Sequence, residues 1–415
     1  MRVLIVNTFY YPNMQGGAEQ SVKLLAENLL RHGNTVAIYC ADAKEGQKTV
    51  EEINGITVYR CTTGKFDLYK YSYKKNSVSA LEKVTQKLRC YCNPDCVKDF
   101  EEICNRFKPD VIHTNTLYGI PCSVWKAAHR KEIAVVHTIR DTAILSPVQH
   151  GHKVSPLVVK AHQKYMCSVS KYVDAVTAPS EYTLRTSLAT GAFDKSKVKE
   201  CVFNSVQIDY DLLQRMVEER KARTSQCIKF MYAGRLIYLK GIRQMLEAFS
   251  RIENENCELH ICGTGDMADY VKEQAQKDSR IIYHGKLNSE ELAKQYQDCD
   301  VLLFPSVWPE PFGRVFIEGN MYGMPVIAGD CGGIPEIHAV THGGDLCDCD
   351  KIEELTKRMK LYLNRDYINH FYESIVNNIE VFDIEKQIEL FEKIYLEVTV
   401  QERNYEGSNK KMYIL

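Results

Sequence analysis

The 415-residue sequence contains no run of 18 or more apolar residues, which excludes a membrane-spanning helix. Its opening, MRVLIVNTFYYPN, reads as a first strand rather than a signal peptide, so a cytoplasmic protein is expected. Net charge is almost absent, at −1 from 53 Lys+Arg against 54 Asp+Glu. No recognised nucleic-acid module accompanies the charged residues, so no nucleic-acid partner is expected. Cysteine is plentiful, at 16, but the paired C-x2-C of structural zinc sites is missing. CYCNPDC (Cys90, Cys92 and Cys96, with Cys104 beyond) has a different spacing, and Cys347 with Cys349 is a weaker pair. No metal is therefore expected, and the cysteines read as reduced thiols, many on strands such as those ending at Cys40, Cys61 and Cys262. The first strand leads through a long loop to Gly16 and Gly17 with no G-x-G-x-x-G there, which argues against a nicotinamide oxidoreductase.

What is present is an alternation of short apolar runs with helical segments. Strands are expected at RVLIVNTF, TVAIYC, ITVYRC, DVIHTN, AVVHTI and AVTAPS, and again at IKFMYAG, CELHICG, IIYHG, VLLFPS and MPVIAG. Alternation of this kind gives doubly wound parallel sheets, whose ligands bind at the carboxyl ends of the strands. A single core rarely grows beyond about 250 to 300 residues, so two α/β domains are expected, 1–203 and 204–382. A terminal helix over 383–400 and a polar tail over 401–415 complete the division.

Charge separates the halves. Residues 1–200 hold 28 Lys+Arg against 19 Asp+Glu, whereas the remainder hold 25 against 35. The basic excess is strongest over Lys65 to Arg89, where seven cations interleave with Tyr69, Tyr71 and Tyr73. Such a segment suits an anionic membrane surface, an acidic glycan or plain solvation, and peripheral membrane association is the expectation.

The most informative stretch is EPFGRVFIE, Glu310 to Glu318, after the buried strand VLLF. Pro309 and Pro311 keep Glu310 out of helix, and Gly313 opens one. A helix N-terminus offers unpaired amides and a positive dipole end, so the backbone from Gly313 to Val315 suits a phosphate. Helical side chains lean toward the N-terminus, so Glu318 can point back toward the ligand and accept the hydroxyls of a ribose. GRLIYLKG, Gly234 to Gly241, adds Arg235 and Lys240, two cations suited to a diphosphate. Gly16 and Gly17, before an amphipathic helix, allow close approach of backbone amides to a phosphate.

Together with GGAE (Gly16 to Glu19), G-T-G (Gly263 to Gly265) and GMPVIAGDCGGIPEI (Gly323 to Ile337), these motifs resemble glycosyltransferase family 4 almost end to end. The resemblance implies the GT-B fold, two Rossmann-like domains facing a central cleft, and retaining transfer from a nucleoside-diphosphate sugar. It implies that Arg235 and Lys240 hold the pyrophosphate, Glu318 the ribose and Glu310 the hydroxyls of the transferred sugar. The Gly16–Gly17 loop, Gly234, Gly263, Phe312, Gly313, Arg314 and Val315 would complete the donor site, and Gly285, Lys286 and Leu287 would read the base.

Arg140-Asp141 stands where many members carry His-Asp beside the reacting carbon, and a guanidinium cannot act as a general base. Arg140 is therefore expected to bind the leaving phosphate or a charged acceptor, with Asp141, His113 and His137 as further sugar or acceptor contacts. His137 reads more readily as a packed strand histidine, and His113 reads equally well as a structural residue. UDP- or GDP-sugar is the implied donor and a saccharide or lipid-linked saccharide the acceptor. No divalent cation is implied, and Asp298-Cys299-Asp300 lies at the amino end of its strand, away from the ligand edge. A noncatalytic sugar-nucleotide binder and an epimerase of the same fold are the alternatives.

Overall fold

In a computed structural model, which describes residues 1–14, 16–42, 47–61, 79–147, 154–253 and 256–410, the runs RVLIVN and TVAIYC form central strands. For residues 80–84, 86 and 401–410 it describes the backbone path alone. Parallel pairing requires a crossover between strands, and the helices supply it.

One unit comprises Met1–Ser205 with Ile384–Leu415. Its strands are β1 (Arg2–Asn7), β2 (Thr35–Cys40), β3 (Thr49–Ile53), β4 (Ile56–Arg60), β5 (Val111–Thr114), β6 (Ala134–Thr138), β7 (Ala175–Ala178) and β8 (Val198–Cys201). They lie in the order β3-β4-β2-β1-β5-β6-β7-β8. All pairs are parallel except β3 with β4, a hairpin through Asn54 and Gly55, both at positive φ. Neither β3 nor β8 was among the expected strands. Four of the five β3 residues are exposed and β8 reads VKEC, so neither edge strand carries a continuous apolar run.

The Gly17–Arg31 helix buries Val22, Leu25, Ala26 and Leu29, a spacing that puts them on one face against β1 and β2. The Ile384–Lys410 helix covers the same face, burying Ile384, Ile388, Phe391, Ile394, Tyr395 and Val398. It runs to Lys410, so a loose tail beginning at 401 is not what the structure has; residues 411–415 lie outside the described residues. The 80–91 part of the basic segment is helical, and 62–78, with most of its cations, lies outside the described residues.

Two candidate contacts sit in this core. His113 is wholly buried, its Nδ1 2.6 Å from the Tyr395 hydroxyl and its Nε2 2.7 Å from Thr138 Oγ1. His137 is wedged between Trp125 and Phe193, with Nδ1 2.9 Å from Thr114 Oγ1. The expectation that either contacts sugar or acceptor is corrected: both rings are closed in by strand and helix neighbours.

The second unit, Val206–Asp383, contains β9 (Ile228–Ala233), β10 (Cys257–Cys262), β11 (Ile281–Gly285), β12 (Val301–Phe304), β13 (Val326–Gly329) and β14 (Gly344–Cys347). The order is β11-β10-β9-β12-β13-β14, all parallel, so chain direction across the sheet reverses between β9 and β12. Ligands of such sheets bind outside the carboxyl ends at that point. β14, half-buried in part, was also not among the expected strands.

Asp300 lies at the opposite, amino edge. Its Oδ1 takes Nη1 of Arg223 at 2.7 Å and Nη1 of Arg365 at 3.2 Å, and its Oδ2 takes the Lys229 amide at 2.9 Å. It is a buried anchor for the start of β12.

Burial holds His137 down at about 3 and His113 well below its ordinary range. The unfolded chain protonates both near pH 6.5, so it binds more protons than the folded unit as pH falls toward 3. Their contribution is therefore present above about pH 6.5 and lost below it, by about 1.4 kcal/mol per pH unit per histidine. The urea midpoint of the protein is expected to fall between pH 7 and pH 5, and that of His137→Gln, weaker at pH 7, to fall less steeply. Equal slopes would contradict this account.

Candidate active site

The site is built where β9 and β12 diverge. β9 ends at Ala233 and the chain turns through Gly234–Gly241, with a short 3-10 turn at Tyr238–Lys240. Gly241 has φ +70°, and a Cβ there would lie 1.8 Å from the Pro305 carbonyl oxygen. Only glycine lets this loop press backbone to backbone on the segment leaving β12.

That contact sets Lys240 Nζ on Glu310 Oε1 as an ion pair. Ser306 Oγ is 2.7 Å from the same oxygen and donates its proton to it. The Glu310 side chain has no hydrogen bond to Oε2 among the described residues. Glu310 is buried, and Gly332, at φ +62°, packs against its backbone so closely that a Cβ would be 2.3 Å from its carbonyl oxygen. The Gly333 amide donates to that carbonyl at 2.8 Å. Cys331 Sγ lies 3.0 Å from the Trp308 carbonyl and 3.3 Å from that of Ser306, bracing the same loop. Burial and, secondarily, the Glu310 carboxylate push this thiol up to about 11, so it stays neutral.

Arg235 is exposed, and its guanidinium forms no ion pair or hydrogen bond among the described residues. Its carbonyl accepts from the buried Tyr232 hydroxyl at 2.9 Å, which fixes the start of the turn. Lys240, with three N–H groups, keeps donors for a second anion beside Glu310.

A second cluster opens the Arg314–Met321 helix. Gly313 is its N-cap, and first-turn amides, Val315 among them, have no intrahelical acceptor. Arg314 Nε donates to Glu318 Oε1 at 2.9 Å, and the Tyr296 hydroxyl lies 3.4 Å from Oε2. Glu318 therefore stands one turn inside the helix, already engaged by a cation. Phe312 is corrected as a side-chain contact: its ring is buried and packs at 6.1 Å on Phe382. Gly234 and Gly263 lie at strand ends, but their amides are engaged by the Cys262 and Gly285 carbonyls at 3.0 and 2.7 Å. Gly285 closes β11, with Lys286 exposed and Leu287 half-buried just beyond.

In the first unit, Gly16 caps the Gly17–Arg31 helix, and its amide donates to Glu19 Oε2 at 2.9 Å. The Gly16 amide is therefore not open to a phosphate, and the exposed Gly17 leads the helix instead. Arg140 is nearly buried, with Nε donating to Asn115 Oδ1 at 2.7 Å and Nη1 to Asn204 Oδ1 at 2.5 Å. Asp141, half-buried, accepts the Ala143 amide at 2.8 Å, and burial raises its pKa. Sequence reasoning missed Ser306, Cys331 and Tyr296 as supports in the second unit, and Glu19, Asn115 and Asn204 in the first. Ser306 was legible as the polar residue four places before Glu310 and Glu19 as the third residue of its own helix, whereas the others are brought in by tertiary folding.

Two family models match the chain, the Glycosyl transferase 4-like domain over residues 16–199 and Glycosyl transferases group 1 over residues 217–380. An uncharacterized 42.6 kDa protein in the cps region of Klebsiella pneumoniae is 30% identical over 385 residues, covering 90% of this chain and 98% of that protein. O-antigen chain mannosyltransferase C of Escherichia coli is 23% identical over 413 residues, covering 95% of this chain and 98% of that protein. Among solved structures, HepE of Anabaena in complex with UDP has a TM-score of 0.66 at 17% identity, covering 95% of this chain and 99% of that one. Paired parallel-sheet units, the ordered motifs and these matches agree: the chain belongs to the family 4-like glycosyltransferases of the GT-B fold.

Proposed function

We propose that this glycosyltransferase moves a hexosyl group from a UDP- or GDP-sugar to a saccharide or lipid-linked saccharide, with retention of anomeric configuration and without a divalent cation. The observation that carries this is Glu310, buried and held on one oxygen by Lys240 and Ser306, with the exposed guanidinium of Arg235, on the loop that also carries Lys240, left without a partner among the described residues. Glu310 Oε2 then accepts from hydroxyls of the sugar. Arg235 and the remaining N–H groups of Lys240 neutralise the diphosphate, aided by the amides opening the Arg314–Met321 helix. Glu318 shares its carboxylate between Arg314 and the ribose.

Cleavage of the bond between the anomeric carbon and phosphate oxygen gives oxocarbenium character, and the bond electrons leave with the diphosphate. An acceptor hydroxyl attacks on the face the phosphate departs from, and its proton passes to the departing oxygen. Arg140, fixed by two asparagines and unable to act as a base, binds the leaving phosphate or a charged acceptor. That same substitution for histidine favours a second reading, a noncatalytic sugar-nucleotide-binding subunit, which binds donor but gives no transfer with any acceptor.

A place in surface polysaccharide assembly is supported by the name of the E. coli relative and by the cps-region relative. A cytoplasmic protein peripheral to an anionic membrane is the corresponding location, through Lys65 to Arg89. Residues 142–173, which contain no Asp or Glu, add exposed Leu157 and Val158 on a helix with exposed Lys160 and Lys164. Among the described residues no helix is long and apolar enough to cross a membrane.

Glu310→Gln is expected to lower turnover by about 100-fold or more, as loss of a single transition-state contact does, with donor binding retained. Lys240→Ala should damage both turnover and donor affinity, and wild-type transfer should persist in EDTA. Near wild-type turnover in both variants, or loss in EDTA restored by Mn²⁺, would overturn the assignment. For the membrane, co-sedimentation with vesicles containing anionic lipid is expected to drop when Lys70, Lys74 and Lys75 are reversed to Glu. Unchanged co-sedimentation would count against that surface.

A further inference from the structure

Beside the Lys240 ion pair, two single-proton donors and four oxygens meet in the turn that carries Glu310. Ser306 Oγ lies 2.7 Å from Glu310 Oε1, 3.2 Å from the Trp308 carbonyl and 3.3 Å from the Leu239 carbonyl, and a hydroxyl donates once. Cys331 Sγ lies 3.0 Å from the Trp308 carbonyl and 3.3 Å from the Ser306 carbonyl, and a thiol also donates once. The Leu239 carbonyl is met by the Val307 amide at 3.2 Å, so it does not depend on Ser306. The Trp308 carbonyl is the nearer of the two oxygens to Cys331, whose thiol is pushed up to about 11, chiefly by burial, and keeps its proton at neutral pH. With both carbonyls engaged, the Ser306 proton goes to the carboxylate, the shortest of its three contacts.

Backbone contacts set the thiol in place. The Cys331 amide donates to the Gly329 carbonyl at 2.9 Å. Gly329 packs so closely on Ser306 that a Cβ would lie 2.1 Å from the Ser306 carbonyl oxygen, as a Cβ on Gly332 would lie 2.3 Å from that of Glu310. The segment leaving β13 thus tracks the Glu310 turn, with Gly329 against Ser306, Cys331 against Trp308 and Gly332 against Glu310, and of these three only Cys331 brings a side chain. Packing alone would be met by an apolar side chain of similar size, such as valine, which has no proton to donate. Deprived of the thiol, the Trp308 carbonyl would stand 3.2 Å from the Ser306 hydroxyl as a rival to Glu310.

We propose that Cys331 is a positioning residue for the transferred sugar: by occupying the Trp308 carbonyl it reserves the Ser306 hydroxyl proton for Glu310, and so fixes the carboxylate that meets the sugar hydroxyls. This rests on the reading that Glu310 contacts the sugar of the donor. Every residue in the relay belongs to the second unit. The thiol acts by donating a hydrogen bond, so a hydroxyl at the same position serves and an apolar group does not.

The test uses the full chain and calorimetry with whichever of UDP-glucose, GDP-mannose and ADP-glucose the wild type binds, alongside the parent nucleoside diphosphate. Ser306→Ala is expected to weaken the sugar nucleotide about tenfold and Cys331→Val about fivefold, as lost hydrogen bonds of these kinds do, with the diphosphate unchanged. Cys331→Ser should recover most of the loss, whereas a packing role would favour the valine over the serine. Combining Ser306→Ala with Cys331→Val should weaken the sugar nucleotide no further than Ser306→Ala alone, because both act through one proton. Should Cys331→Val fail to fold, judged by near-UV circular dichroism, Cys331→Ala removes the same donor with a smaller side chain. Glu310→Ala is the control and should lose sugar-nucleotide affinity selectively. If it does so while Cys331→Val or Cys331→Ala binds like the wild type, or if the Ser306 and Cys331 losses add, the role of Cys331 alone is overturned. An unchanged affinity in Glu310→Ala, or no binding of any sugar nucleotide by the wild type, would overturn the donor reading and this inference with it.

Discussion

Backbone packed directly on backbone is the constraint on which the second unit's site depends. Gly241 on Pro305 and Gly332 on Glu310 bring the loops that follow β9, β12 and β13 closer than any side chain would allow. Without that approach the Lys240 side chain would have to span a wider gap, and Glu310 would be a loop carboxylate free to turn to solvent. With it, the carboxylate is buried and a lysine and a serine hydroxyl address one of its oxygens. A buried charge is tolerable only when so compensated. Holding Glu310 fixed before any ligand arrives is also what makes such a group useful in group transfer, since little reorganisation is left for the moment of reaction.

The first unit solves a different problem by different means. Its sheet is sealed on one face by the Gly17–Arg31 and Ile384–Lys410 helices, the latter entering from the far end of the sequence. Polar groups inside it, among them His113, Thr138 and Tyr395, satisfy one another. Asp42 with Arg60 at the sheet edge and Arg140 between two asparagines hold charge in fixed places near the carboxyl ends of strands. The basic excess of this half therefore includes cations bound into structure as well as those left in solvent.

The architecture was largely legible in the sequence because parallel strands buried on both faces leave continuous apolar runs, as in VLIV and VLLF, and because glycine and proline mark the turns between them. The strands that escaped, β3, β8 and β14, are short or partly exposed and carry charges. In the site, EPFGRVFIE and GRLIYLKG were legible because spacing around a helix start constrains what they can do. The pairing of Lys240 with Glu310 was not, since the two residues stand 70 positions apart and glycine contacts set the loops that carry them. Nor was the closure of His113, because Tyr395 reaches it from a helix 282 positions away. Histidines on strands that end near a ligand edge look alike in sequence whether they face a substrate or a core.

The proposed donor site, at the carboxyl edge of the second unit, holds a nucleotide sugar by cations and helix amides without a metal. Thermal unfolding with UDP-, GDP- and ADP-sugars, each with EDTA present and with NAD⁺ as control, tests it most directly. A ligand at 100 times its dissociation constant adds about 2.7 kcal/mol to the folded state. A rise in unfolding temperature with one nucleotide class and none with NAD⁺ is the expected result. No rise with any sugar nucleotide, or a rise that appears only when a divalent cation replaces EDTA, would contradict it.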